Sequence, residues 1–151
     1  MNNLLKRFVE WIARKEKLHV QAHKPPLISE GDFWWLGFGE NIGREMNGNG
    51  QKFTRPAVIL RKLAHGFYLV APTTTKKHEG SWYAHIRHRG VDEYVCLHQI
   101  RTIDYRRLDR KIGQIDTEDF SRIMKAFMVL YGGNESPPRG GGRGKFPNRL
   151  L

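Results

Sequence analysis

The chain has 151 residues, is 39% hydrophobic and 11% aromatic, and carries a net charge of +11. That length holds one domain with a sizeable core and is short for two. A single cysteine, Cys96, excludes an internal disulfide framework and suits a reducing compartment, and no apolar run reaches the roughly 20 residues of a membrane-spanning helix.

The charge is unevenly placed. Residues 1–24 hold six Lys and Arg against two acids, residues 134–151 four against one, and residues 25–133 sixteen against twelve. A polyanionic partner is favoured electrostatically, but part of that attraction belongs to the two ends.

In chain order, residues 3–22 set Leu5, Phe8, Ile12 and Leu4, Trp11, Leu18 at helical spacing. Lys6, Arg7 and Glu10 interrupt the apolar start, so it does not read as a signal peptide, and a cytoplasmic protein is expected. Lys24-Pro25-Pro26 ends this helix, because proline disfavours helical geometry in the residue before it. Residues 1–26 form an amphipathic helical extension, 27–133 the core domain, and 134–151 a tail rich in Gly, Arg and Pro with too few apolar groups to offset the entropy of ordering. The extension has three open roles: packing on the core, which is preferred, assembly, or contact with an anionic membrane surface.

Inside the core, residues 31–38 read as a first strand, followed by a glycine- and asparagine-rich loop over 39–53. Residues 55–63 and 66–74 read as a hairpin about Ala64-His65, 81–88 and 93–104 as two further strands, and 111–115 as a short last one. A helix over 117–131 closes the domain, with Asp116 or Thr117 to cap it. Phe120, Ile123, Met124, Phe127 and Tyr131 form its apolar stripe. Short strands plus one closing helix predict a mainly β fold, a small antiparallel barrel.

Four segments carry a resemblance to a known family. They are Gly31-Asp32-Phe33-Trp34-Trp35; Gly43-Arg44-Glu45 leading to Thr54-Arg55-Pro56-Ala57-Val58-Ile59-Leu60; Ala71-Pro72-Thr73-Thr74-Thr75; and Gln99-Ile100-Arg101-Thr102-Ile103-Asp104. With Lys111-Ile112-Gly113 and the final helix, the core is similar to the MazF/PemK toxins. The resemblance implies an SH3-like barrel and a homodimer that cuts single-stranded RNA at short sequences, with no metal or other cofactor. In that family the ribose 2′-OH attacks the adjacent phosphate, leaving a cyclic phosphate and a 5′-OH. The resemblance also implies a cognate antitoxin protein that blocks the RNA groove.

Such a reaction needs a cation beside the phosphorane, donors on the non-bridging oxygens, and proton transfer at the attacking and leaving oxygens. Arg55 matches the family's Arg-Pro arginine and can hold two phosphate oxygens at once; by residue type alone it would be a surface ion pair. Thr74 matches the family's threonine, with Thr75 beside it, and an ordinary polar strand end is the plain alternative. Glu45 matches a family acid in the loop before Arg-Pro; a carboxylate beside Arg55 can orient it or accept the 2′-OH proton, and a solvated loop acid is the equal alternative. His98 stands where relatives carry an acid and Cys96 where some carry an arginine, so the acid–base pair of those relatives does not transfer. His98 is the candidate to assist proton transfer, against a structural or base-stacking role. Cys96 reads as a buried small residue.

RNA contacts are expected from Arg44, Lys52, Thr75, Lys76, Lys77 and Gln99, with the 39–53 loop closing over the bases. Trp34, Trp82 and Tyr83 are candidate stacking surfaces, although Trp34 or Trp35 belongs in the core. Gly43 to Gly48 lacks the Lys-Ser/Thr of a triphosphate loop. His19 and His23 lack a third zinc ligand, so no metal site is expected. Competing readings are a non-catalytic RNA- or protein-binding module on the same barrel, including a gyrase-poison-like toxin, and a toxin that has lost activity.

Overall fold

The computed structural model describes residues 6–21 and 24–133. The expectations for Leu4, Leu5, His23 and the 134–151 tail lie outside the described residues.

Helix α1 runs Phe8–Val20. Trp11 and Leu18, seven apart on one face, are buried against Phe53. The other stripe expected to pack does not: Phe8 and Ile12 are 39% and 58% exposed. Only the Trp11 face meets the 39–53 loop. Its indole covers Gly39 so closely that a Cβ there would lie 2.4 Å from the ring. Arg7 adds a cation over Phe53 at 4.3 Å and donates to the Gly50 carbonyl at 2.9 Å.

Seven strands follow: β1 Asp32–Gly37, β2 Thr54–Ala64, β3 Phe67–Thr74, β4 Tyr83–His88, β5 Val91–Cys96, β6 Arg101–Asp104 and β7 Leu108–Gln114, then α2 Thr117–Tyr131. All pairings are antiparallel, in the order β4-β5-β3-β2-β1-β7 with β6 beside β3. The sheet is not closed. The expected barrel is therefore open between its terminal strands β4 and β7. Side chains stand in the gap instead: the His88 imidazole lies 2.9 Å from where a Cβ on Gly113 would sit, and meets the Phe33 ring edge-on at 5.4 Å.

Residues 93–104 do not form one strand. A 3-10 turn over Leu97–Gln99 breaks them, because Leu97 turns inward to full burial while its amide donates to the Trp82 carbonyl at 2.8 Å. The break lets β6 pair with residues 67–70 of β3 while β5 pairs with Thr73 and Thr74. Strand β7 starts at Leu108, earlier than position 111. It is mostly solvent-facing, and two register shifts against β1 disturb its alternation.

The core explains the apolar run of β2. Val58 and Leu60 point into the layer under α2 with Phe33, Ile86, Val95 and Ile123. Ala57 and Ile59 point to the other side with Trp34, Leu36, Tyr68 and Ile103. Both faces are buried, so the strand reads as continuous rather than alternating, and each buried Leu or Ile contributes about 1.5–3 kcal/mol. On α2, Phe120, Met124 and Phe127 pack around the fully buried Ile123, and the Tyr131 hydroxyl donates to the Leu97 carbonyl at 2.6 Å. Asp116 occupies the N-cap position without a side-chain capping bond.

Candidate active site

The loop over 39–53 is built around its asparagines. Asn41 donates from Nδ2 to the Phe38 and Met46 carbonyls at 3.2 and 2.7 Å, and its amide donates to Asn47 Oδ1 at 2.6 Å. Gly48 lies against the loop's end, where a Cβ would fall 1.7 Å from the Phe53 carbonyl oxygen. No side chain fits there. The loop therefore delivers Arg55, the second residue of β2, in a fixed direction.

Arg55 is half-buried, and its guanidinium is held by backbone rather than by an acid. Nε donates to the Asn47 carbonyl at 2.6 Å and Nη1 to the Thr73 carbonyl at 3.4 Å. Burial lowers its pKa, and the neighbouring Cys96 and Glu93 oppose that shift; the group stays protonated at neutral pH. This arrangement replaces the surface ion pair that residue type alone suggests.

Arg55 opens on a cavity of about 870 Å3 at the unclosed side of the sheet. Thr73, Thr74, Thr75 and Lys76, at and just after the end of β3, line one wall. Trp35, Pro56 and Ile112 give it an apolar floor, and His88, Arg89 and Glu93 come from the β4–β5 hairpin. The structure thus brings Arg55, Thr74, Thr75 and Lys76 to one place. The Thr74 hydroxyl also accepts from the Lys76 amide at 3.2 Å, which fixes the turn that carries Thr75.

Other predicted residues lie elsewhere. Glu45 is exposed on the loop and its charge acts on Arg101, while the carboxyl acting on Arg55 is Glu93. His98 does not line the cavity: it is exposed, stacked on Trp82 at 5.2 Å and edge-on to Tyr83 at 5.2 Å. Gln99 has both ends of its amide engaged, accepting from the Met46 amide at 3.0 Å and donating to the Arg44 carbonyl at 2.9 Å. It braces the loop rather than offering a free edge. Arg44 is exposed beside it. Lys52 pairs with Asp109 at 3.2 Å and Lys77 with Glu79 at 3.9 Å, and neither lines the cavity. Trp34 is core at 7% exposure, and Trp35 is the tryptophan that faces the cavity. Cys96 is 1% exposed and burial pushes its thiol up to about 11, so it stays protonated and unreactive.

Sequence reasoning missed Glu93. It is 8% exposed, with Oε2 lacking a hydrogen-bond partner among the described residues. Burial raises its pKa, while a hydrogen bond from Thr73 and the charges of His88 and Arg55 lower it. The signal was present: Glu93 and Val95 share the inward side of β5, and an acid at an inward strand position is anomalous. A second cavity, about 960 Å3, lies along α1 and the turn at Arg106 and Arg107, and holds none of the predicted site residues.

Residues 29–131 match the model of the family described as PemK-like, MazF-like toxin of type II toxin-antitoxin system. Among solved structures, MazF from Deinococcus radiodurans is similar over 71% of this chain and 98% of its own, at 21% identity and a TM-score of 0.60. An endoribonuclease in complex with its cognate antitoxin from Mycobacterial species matches over 73% of this chain and 100% of its own, at 14% identity and a TM-score of 0.55. A MazE-MazF structure from Deinococcus radiodurans matches over 71% and 97%, at 20% identity and a TM-score of 0.55. No curated protein matches the chain. In all three solved structures the likeness is one of fold.

Proposed function

Because the chain belongs to the PemK-like, MazF-like toxin family of type II toxin-antitoxin systems, we propose that it is an endoribonuclease toxin that cuts single-stranded RNA by attack of a 2′-OH on the adjacent phosphate. One observation carries this reading: Arg55, Thr74, Thr75 and Lys76 come from two strands and a turn to a single open cavity. The Arg55 guanidinium supplies fixed positive charge where the phosphorane develops its own negative charge, and does so in a partly desolvated place where that charge counts for more. The Thr74 and Thr75 hydroxyls and the turn amides donate to the non-bridging oxygens. Lys76 and Arg89 draw the backbone in. The apolar floor of Trp35, Pro56 and Ile112 suits a base lying beside the scissile phosphate.

The exposed rings of His98 and Trp82 supply a further base-stacking surface. Arg44 and Lys77 add phosphate contacts from either flank. Lys52 joins them only by leaving Asp109, an exposed pair that holds it weakly. The reaction runs without a metal. The toxin works as a homodimer in the cytoplasm, and a cognate antitoxin silences it by covering the cavity; similar folds solved with MazE or a cognate antitoxin support that partner.

Purified protein incubated with single-stranded RNA in EDTA tests the reading. Fragments ending in a cyclic phosphate and a 5′-OH are expected. RNA that is bound but left whole would move the protein to a binding module on the same fold.

A further inference from the structure

The proposed reaction needs a group to take the 2′-OH proton, and neither sequence candidate is in the cavity. Glu45 stands on the outer loop beside Arg101 and His98 on the Trp82 and Tyr83 rings. The cavity has one carboxyl among its lining residues, Glu93. It is more than nine-tenths buried beside the Thr73 hydroxyl, and its Oε2 has no partner among the described residues. A buried acceptor without a donor is costly unless something supplies one. A ribose hydroxyl in the cavity is such a donor.

We propose that Glu93 is the general base of this site, accepting the 2′-OH proton directly or through one water. This rests on the nuclease reading. As the 2′ oxygen bonds to phosphorus, its proton passes to the Glu93 carboxylate. The P–O5′ bond breaks with its electron pair on the 5′ oxygen, which takes a proton from water at the cavity mouth; the proton on Glu93 then returns to solvent. Arg55 on β2 lies close enough to Glu93 for their charges to interact, so base and cation converge on one substrate.

The surroundings suit the task. Arg55 from β2, His88 from β4, Cys96 on the same strand and the Thr73 hydroxyl from β3 face the carboxyl, and Cys96 is a neutral thiol. Burial raises the carboxyl toward the range in which a base is effective at neutral pH, and Arg55 and His88 restrain the rise. His88 also lines the cavity, and its Nε2 is likewise buried without a partner among the described residues, but its ring is packed between Phe33 and Gly113, so it is less suited to the role.

The test compares wild type, Glu93→Gln and Glu93→Asp by single-turnover RNA cleavage across pH, with RNA binding and thermal unfolding measured in parallel. Glu93→Gln is expected to cut on the order of 100-fold more slowly or worse, to bind RNA within about threefold of wild type, and to lose the rise in rate with pH at the acid side. Glu93→Asp keeps that rise at a reduced rate. Should Glu93→Gln fail to fold, Glu93→Asp decides alone. Wild-type rates and an unchanged pH profile in Glu93→Gln, or a wild-type rate in Glu93→Asp, overturn the assignment while leaving the nuclease reading intact. Wild type that does not cut RNA overturns both.

Discussion

Arg55 reaches back to the loop it follows and donates from Nε to the Asn47 carbonyl at 2.6 Å. The bond makes the loop part of the site. Asn47 is tied to Asn41, Gln99 braces Arg44 and Met46 from the far side, and Trp11 of α1 lies on Gly39 and Phe53 at the loop's base. The direction of the guanidinium therefore depends on contacts far from it in sequence, including a helix that precedes the family region.

Truncating the strut makes that dependence visible. Trp11→Ala removes a buried indole at 6% exposure and is expected to lower stability by about 3 kcal/mol. Protease cleavage within 39–53 should quicken as well, because the loop loses the surface it rests on. Unchanged unfolding and an unchanged cleavage pattern would mean that α1 is only an appendage.

The Glu93 carboxyl predicts a pH dependence of stability. Burial holds its pKa above the ordinary 4.5, so the folded protein keeps that proton to higher pH than the unfolded chain. What the group contributes to stability is then fully present below the unfolded value and is lost as pH rises through the folded value. Glu93→Gln cannot ionise, so its stability relative to wild type should climb as pH rises above the ordinary 4.5 and through the raised folded value. Denaturant melts of both proteins across that span check it, and a constant difference would contradict the burial argument.

Much of the architecture could be read from residues, for identifiable reasons. The run Ala57, Val58, Ile59, Leu60 is buried on both faces, and α2 has a clean apolar stripe ended by Gly132. Strong patterns survive packing. What escaped was set by tertiary contacts: the turn at Leu97, the bulged register of β7 on β1, and the open side between β4 and β7. In the candidate site, Arg55 and Thr74 stand out through the motif around them, whereas Glu93 is visible only as an acid on the inward side of a strand. Glu45 was favoured for lying near Arg55 in the family pattern, but loop geometry turns it toward Arg101.

His98 tests the division between chemistry and stacking. Its ring lies on Trp82 with an interplanar angle of 24° and does not line the cavity. His98→Ala should raise KM for RNA about fivefold or more, the loss of one stacked base, with the pH profile of kcat kept. A changed acid or basic limb in kcat would return His98 to proton transfer.

The most direct measurement is single-turnover cleavage of single-stranded RNA by wild type and Arg55→Ala in EDTA, with the ends of the fragments identified and both proteins matched for thermal unfolding. Wild type is predicted to release fragments with cyclic phosphate, and Arg55→Ala to be slower by about 100- to 1000-fold. Equal rates in the two proteins would contradict the account.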